Sequence, residues 1–568
     1  MKLEFIGEAQ LEFLREGLYI EEDETPVERV TDIVERVRAY EGMYKWEGLA
    51  DLVAEMIDKN YLSLSTPGFS NFGRKKKEGA NTVALPASCN IITVGNSIYN
   101  IAYSNAEAKM LSKLGAAAGT NYTRVAEKGT KLSEGFYSNS KLDWIEDDVA
   151  AAQKVSQGAK RRGYVTPFIS ILDKELYDLL KRIDKNNPDK RDPLVSNTVG
   201  IIIPRGFWKE VDAGNKDYQK RILDVLKQKQ KTGKLYLLDV ENCNKNSSPV
   251  YKALGLEVET TNICTEFIQP LFDDMTSVCV IAAINAVHWD IIKENPLMIK
   301  AAFYFLDIVN EEYVTLTKGV PFMERAHKAA RDKRDIGLGV LGFHELLQKK
   351  NYAFGDMYSR KLNKEIFSTM RAIGEEATKQ MGVDVGVPEI CRLAGMIRRN
   401  ASLMMVAPNK STSFIAADTT GGVEVRMSNI HLRTLAKIQY VSKNKHLDSL
   451  LKTKDCNLKE TWVSIEDNNG SVSHLDFLSD HEKDVFKTFS EVSPKDIIDL
   501  AADRQEFIDM GQSLNLVFRP NYTLKDIYDI HRYGFNKGIK TFYYGYPSAH
   551  AALEKDGNKW DDCVSCAD

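Results

Sequence analysis

The sequence predicts an α/β protein, and three observations carry that expectation. Short apolar runs bounded by Gly, Pro, Asn and Ser recur beyond residue 63: "CNIITVGNS" (89–97), "VGIIIPRG" (199–206), "KLYLLDVEN" (234–242) and "SVCVIAAINAV" (277–287). Such runs lack the polar alternation of a half-exposed strand, so they read as strands buried on both faces. Between them lie longer amphipathic segments with apolar residues three and four apart, such as "SPKDIIDLAADRQEFIDMGQSL" (493–514), the period of a helix packed on a sheet. The start of the chain shows helical patterns only, "VERVTDIVERVRAYEGM" (27–43) and "WEGLADLVAEMIDKNYL" (46–62). The expected organisation is therefore a short helical region over 1–62, an α/β body over 63–545 and a polar, flexible tail over 546–568.

Bulk composition excludes several partners. The 568 residues include 76 Lys and Arg against 80 Asp and Glu, a balance that asks for neither nucleic acid nor a membrane surface. Basic runs such as "GRKKKEG" (73–79) and "AKRRG" (159–163) are local. No run of about 18 apolar residues occurs, and "MKLEFIGEAQLEF" is too acidic for a secretory signal or transit peptide, so a cytoplasmic protein is expected. Eight cysteines, at 89, 243, 264, 279, 391, 456, 563 and 566, are too sparse for a disulfide scaffold. In a reducing compartment, cysteines kept near polar residues are candidates for redox chemistry.

Five constellations carry potential chemistry. In "TTNICTEF" (260–267), an extended backbone would project Asn262, Cys264 and Glu266 to one face and bury Ile263 and Phe267. The triplet alone fits an ordinary buried cysteine better and proves little by itself. Cys89 in "LPASC" (85–89) and Cys279 in "SVCVIAAIN" belong to other expected strands, where burial is also the common fate. If all three met at one pocket, they would make a reducible pair beside a third, reactive thiol.

Near the end, "CVSC" pairs Cys563 with Cys566 at a spacing that suits a reversible dithiol or half a zinc site. No second C-x-x-C accompanies it, so a redox shuttle is favoured and no metal site is assigned. "APNKSTSFIAADTTGG" (407–422) gathers hydroxyls, an amide and a lysine on a loop leading to a helix start. That arrangement suits a phosphate or a plain helix cap. In "KTFYYGY" (540–546), Tyr543 and Tyr544 suit a strand with one ring in and one out, although phenols also carry radicals.

Together, and in register along nearly the whole chain, these motifs resemble the large catalytic subunit of class I ribonucleotide reductase. The substrate opening matches "STPGFSN" (65–71) through "LPASC", the active-site triplet "NICTE", a Gly-rich segment "RDIGLGVLGFHELL" (334–347), the phosphate loop "PNKSTS", the tandem tyrosines "FYY" and the tail "CVSC". The resemblance implies a ten-stranded α/β barrel built from two antiparallel halves, each of five parallel strands, with a central finger loop that presents Cys264.

The implied activity is reduction of ribonucleotides, with diphosphates expected, to 2′-deoxyribonucleotides. In that scheme Cys264 carries a transient thiyl radical, Glu266 acts as base on the 3′ hydroxyl, and Asn262 orients the substrate. Cys89 and Cys279 deliver two electrons, and Cys563 and Cys566 re-reduce them, supplied in turn by a thioredoxin or glutaredoxin. Tyr543 and Tyr544 would relay a radical generated on a separate, metal-containing small subunit, with no cofactor held tightly by this chain. The substrate's phosphates would rest on Thr66, Ser88, Asn409, Lys410, Ser411, Thr412 and Ser413.

A nucleoside triphosphate effector would bind at Asn96, Ser97 and Arg124, where Asn96 stands in place of the family's acidic residue. The "EKGTK" turn (127–131) would meet its phosphates, and "SQGAKRRGY" (156–164) would pass the signal to the substrate. A homodimer is expected. With about 65 residues before Thr66, the sequence has no room for the ATP-binding helical cone of longer members. The rival readings are a cobalamin-dependent class II reductase, which needs no partner subunit, and an inactive nucleotide-binding paralogue. A glycyl-radical enzyme is disfavoured, because the glycine of "YYGYP" lacks the arginine such a loop requires.

Overall fold

The computed structural model describes residues 1–17, 19–74, 84–87, 89–157, 161–195, 197–435 and 438–547. Four helices, Glu8–Glu16, Pro26–Arg38, Glu41–Tyr44 and Leu49–Asp58, precede the first strand. Local chemistry explains the second: Thr25 accepts from Glu28 N–H, Glu28 reaches back to Thr25, and Pro26 occupies the first turn, a capping box with the backbone angle preset. These helices are not a separate body. Phe13, Leu14, Val30, Ile33, Val53 and Met56 share one core with the barrel helices, and Tyr44 hydrogen-bonds the buried Asp307 at 2.5 Å.

The apolar runs fold as buried strands. Cys89–Thr93, Ala117–Asn121, Val165–Ser170, Val199–Ile203 and Leu235–Asp239 pair in parallel in that order. The second half begins with Ser277–Cys279 and Ile281–Asn285 as one nearly continuous strand, and Gly337–Leu341 pairs with it in parallel. Parallel bridges from Leu338 to Met404 and from Val406 to Gln512 extend the half, and Leu516–Phe518 pairs in parallel with Gly545–Pro547. The halves meet antiparallel at both seams: Ser277–Cys279 against Cys89–Thr93, and Thr541–Phe542 against Leu235–Asp239. The circuit closes as two sets of five strands, the ten-stranded barrel that the resemblance implies, and closure removes the exposed sheet edges.

A hairpin, Val258–Thr261 with Ile268–Pro270, occupies the barrel interior, and two strand glycines make room for it. A Cβ on Gly119 would lie 2.4 Å from Thr261 O, and one on Gly511 would lie 2.7 Å from Thr265 O, closer than any side chain tolerates. A subsidiary core of Leu447, Trp462, Ile465, Val472 and Phe486 stands behind the hairpin Ile430–Leu435 with Ile438–Lys443. No helix among the described residues is long and apolar enough to cross a membrane.

Candidate active site

The Asn262, Cys264 and Glu266 triplet is not extended, contrary to the expectation from its alternation. It forms the tip of the finger hairpin, where Asn262 N–H bonds Phe267 O at 3.1 Å, Thr265 N–H bonds Asn262 O at 3.3 Å, and Thr265 takes φ 69°. A tight turn, rather than the period of a strand, brings the three together. Asn262 Nδ2 donates to Glu266 Oε1 at 2.9 Å, and Asn262 Oδ1 accepts from Phe267 N–H at 3.2 Å. All three are buried, as are Ile263 and Phe267.

Ser513 supports the tip from the facing strand. Its hydroxyl lies 2.6 Å from Cys264 O and 3.0 Å from Glu266 Oε2. No motif spacing singles this serine out, because it approaches the thiol only through a contact 249 residues long in sequence.

Cys89 and Cys279 are register partners across the antiparallel seam. Directly opposed residues in such a ladder have Cα atoms about 4.5–5.5 Å apart, inside the reach of a disulfide, and both are present as thiols. Both also belong to the side-chain cluster that contains Cys264. Cys279 Sγ lies 3.8 Å from Met405 Sδ, so the seam is lined by soft, polarizable atoms. Cys243 and Cys391 are fully buried, and burial pushes the Cys391 thiol up to about 12 and Cys243 higher still. Those are inert thiols.

Tyr543 and Tyr544 are both buried, unlike a strand pair with one ring at the surface. Tyr543 Oη lies 3.6 Å from Cys264 Sγ. The Tyr543 and Tyr544 ring centroids are 4.2 Å apart, and Tyr546 follows at 5.7 Å. Tyr236, which the sequence did not single out, packs against both, at 4.6 Å from Tyr543 and 5.3 Å from Tyr544.

Two buried lysines anchor this segment, Lys229 through the Tyr543 carbonyl and Lys540 through its own ammonium. Lys229 Nζ donates to Leu235 O at 2.5 Å and to Tyr543 O. Lys540 Nζ bonds the carbonyls of Asn246 and Met510, both at 2.7 Å. Burial lowers each ammonium to about 7.

The loop at 409–413 leads into a helix, Lys410–Ile415, with Asn409 in the left-handed region at φ 53°. Ser411, Thr412 and Ser413 are buried, and Thr66 opens the helix Thr66–Asn71. The Lys410–Ile415 helix packs on the strand Leu62–Leu64, which ends two residues before Thr66.

Asn96 Oδ1 accepts from Ala126 N–H at 2.7 Å, and Ser97 caps the helix Ile98–Lys113. These two exposed residues therefore sit beside the turn that carries Arg124, which pairs with Asp273 at 2.6 Å. Ser88, Cys563, Cys566 and the centre of the 156–164 loop, residues 158–160, lie outside the described residues.

Comparison with known proteins agrees with this geometry. The model of the ribonucleotide reductase barrel domain matches residues 87–221, 217–389 and 392–545. The chain belongs to the ribonucleotide reductase family. It is similar to the ribonucleoside-diphosphate reductase large subunit of Invertebrate iridescent virus 6, with 34% identity over 57% of this chain and 33% of that protein. The aligned region is thus about a third of that relative's length. A putative ribonucleoside-diphosphate reductase large subunit of Frog virus 3 is 27% identical, over 85% of this chain and 87% of that one. Among solved structures, the Actinobacillus ureae class Id ribonucleotide reductase alpha subunit superposes with TM-score 0.87 at 32% identity, covering 97% of this chain and 99% of that one. A ribonucleotide reductase barrel with its finger hairpin is therefore the frame in which the thiols and phenols have to be understood.

Proposed function

We propose that this chain is the catalytic large subunit of a ribonucleoside-diphosphate reductase that uses a thiyl radical on Cys264. One observation carries the reading: Cys264 stands 3.6 Å from the buried phenol of Tyr543, at the tip of a hairpin inside a barrel whose seam opposes Cys89 to Cys279. A phenoxyl radical on Tyr543 takes the hydrogen of the Cys264 S–H, leaving a phenol and a thiyl radical. The thiyl radical then takes the 3′ hydrogen of the ribose.

Glu266, held between Asn262 and Ser513, removes the proton of the 3′ hydroxyl. Asn262 orients the sugar, and the 2′ hydroxyl leaves as water. Cys89 and Cys279 supply two electrons and two protons and close as a disulfide, and the hydrogen on Cys264 returns to C3′. The sum is ribonucleotide plus two thiols giving deoxyribonucleotide, disulfide and water.

The phosphates rest on Thr66, Ser88 and the Asn409 to Ser413 loop, and diphosphate is favoured because the similar viral proteins are ribonucleoside-diphosphate reductase subunits by name. The adjacent phenols of Tyr543 and Tyr544, with ring centroids 4.2 Å apart, suit a radical arriving from a separate small subunit, and nothing in the site favours a cobalamin-dependent reading. Cys563 and Cys566 shuttle electrons from a thioredoxin or glutaredoxin. A nucleoside triphosphate at Asn96, Ser97 and Arg124 sets substrate choice in a cytoplasmic homodimer.

The test is deoxynucleotide formation from ribonucleoside diphosphate and a dithiol, with a metal-bearing small subunit or with adenosylcobalamin instead. Turnover is expected only with the small subunit. Turnover with cobalamin alone contradicts the class I assignment.

A further inference from the structure

Lys410 links two parts of the site that the reaction scheme leaves separate. It is the first helical residue of the phosphate loop, yet its ammonium lies 5.6 Å from the ring centroid of Tyr544, 5.9 Å from that of Tyr546, and 3.3 Å from Tyr546 Oη. A cation at that distance from a ring face is attracted to it. The same charge opposes removal of an electron from the ring.

Glu424 is the counter-charge. Its carboxylate accepts from Asn515 Nδ2, and Asn515 Oδ1 in turn accepts the N–H of Tyr544 at 3.0 Å. The segment that carries Glu424 lies against the phosphate loop: a Cβ on Gly421 would stand 2.6 Å from Pro408 O. Part of the Glu424 residue remains in contact with solvent, but its carboxyl end is enclosed by protein. That enclosure raises its pKa to about 7, against the opposing pull of Lys410 and the Asn515 hydrogen bond. Among the described residues, the only other charged group lining the small cavity beside it is Arg504, which bonds Gln512 Oε1 at 2.5 Å. Burial lowers Arg504 only to about 9, so its charge is constant across neutral pH.

We propose that Lys410 and Glu424 form a charge relay that reports filling of the phosphate loop to the tyrosine pair. In the empty site the Lys410 ammonium stays over Tyr544 and Tyr546, with Glu424 as its counter-charge, and disfavours oxidation of Tyr544. An incoming diphosphate draws the ammonium to itself. The rings lose the opposing charge, and Glu424, deprived of its cation, takes up a proton from solvent. Radical entry, in which Tyr544 gives an electron to the partner's radical before its hydroxyl proton leaves to solvent and the reduced partner group takes a proton in turn, is thereby tied to substrate binding. Lys410 and Glu424 act here as positioning residues. The inference rests on the reading of 409–413 as the phosphate loop.

Proton uptake on binding tests it without turnover. Calorimetric titration of the full chain with a ribonucleoside diphosphate at pH 7, in two buffers of different ionisation enthalpy, counts protons taken up. A one-unit rise from a pKa near 7 corresponds to about 0.4 proton per site. The wild type is expected to show that uptake, Glu424→Gln and Lys410→Met to lose it, and Lys410→Arg to restore it against the Lys410→Met background. With the small subunit present, Lys410→Met is also expected to let the partner's radical decay without substrate, at least tenfold faster than in the wild type.

Equal uptake in wild type and Glu424→Gln, or none in the wild type, overturns the relay while leaving the reductase reading intact. Absence of any diphosphate binding by the wild type overturns both.

Discussion

Replacing Ser513 by alanine removes one hydroxyl between the backbone of Cys264, the proposed radical carrier, and the carboxylate of Glu266, the proposed base. The hydroxyl lies 2.6 Å from Cys264 O and 3.0 Å from Glu266 Oε2. A hydrogen bond to a charged group contributes about 1.5–3 kcal/mol, and each 1.36 kcal/mol of barrier is about tenfold in rate. If Glu266 needs that bond to meet the 3′ hydroxyl, Ser513→Ala lowers kcat about 10- to 100-fold. KM should change little, since the proposed phosphate loop, 409–413, is untouched.

The same change removes a hydrogen bond from the buried Cys264 carbonyl and costs about 1–2 kcal/mol of stability. A urea midpoint separates that loss from the catalytic one, and Ser513→Thr, which keeps a hydroxyl, should recover most of the rate. The assay is deoxynucleotide formation at saturating substrate with the small subunit and a dithiol. A Ser513→Ala enzyme with wild-type kcat would refute the role given to this contact.

Other outcomes follow from the same geometry. Tyr543→Phe removes the phenol 3.6 Å from the thiol and should abolish turnover while leaving nucleotide affinity within about twofold, as equilibrium binding would show. Gly119→Ala places a methyl 2.4 Å from Thr261 O and should destabilise the fold by about 1–3 kcal/mol, read from a denaturant midpoint. Cys563→Ser should block repeated turnover with thioredoxin yet leave reduction by small dithiols largely intact; loss of both contradicts the shuttle.

Stability should also depend on pH through Glu107, which is fully buried and raised by desolvation from 4.5 to about 8. The folded state then binds more protons than the unfolded state between those values, so stability falls as pH rises through that window, by up to about 1.4 kcal/mol per unit. Glu107→Gln should flatten that slope, as unfolding curves at pH 5.5 and 7.5 would reveal.

The barrel strands were legible because burial on both faces leaves continuous apolar runs, and each quoted run folds as a strand. "TTNICTEF" misled in its local geometry, because an alternating pattern reads as extended whether or not a positive φ at Thr265 closes it into a turn. The second half of the barrel was harder to see. Around Met404 and Gln512 the strand pairing is reduced to single bridges, too short to leave a periodic signal.

Ser513, Tyr236, Lys229 and Asn515 were not legible, because each meets the site only through contacts between residues distant in sequence. Their types, a serine, a strand tyrosine, a helix lysine and an amide, are common on any α/β protein. Glu424 is hidden for a further reason. Its chemistry comes from enclosure and from Lys410, neither of which a motif records.

The most direct test of the central claim is a single turnover of fully reduced protein with the small subunit and no external reductant, followed by mapping of disulfides by mass spectrometry. The tail thiols are first removed as Cys563→Ser and Cys566→Ser, so that the internal pair keeps its oxidised state. The account predicts one Cys89–Cys279 disulfide for each deoxynucleotide formed, and neither product nor disulfide with Cys264→Ser. Deoxynucleotide formed with Cys89 and Cys279 still as thiols, or by the Cys264→Ser protein, would contradict it.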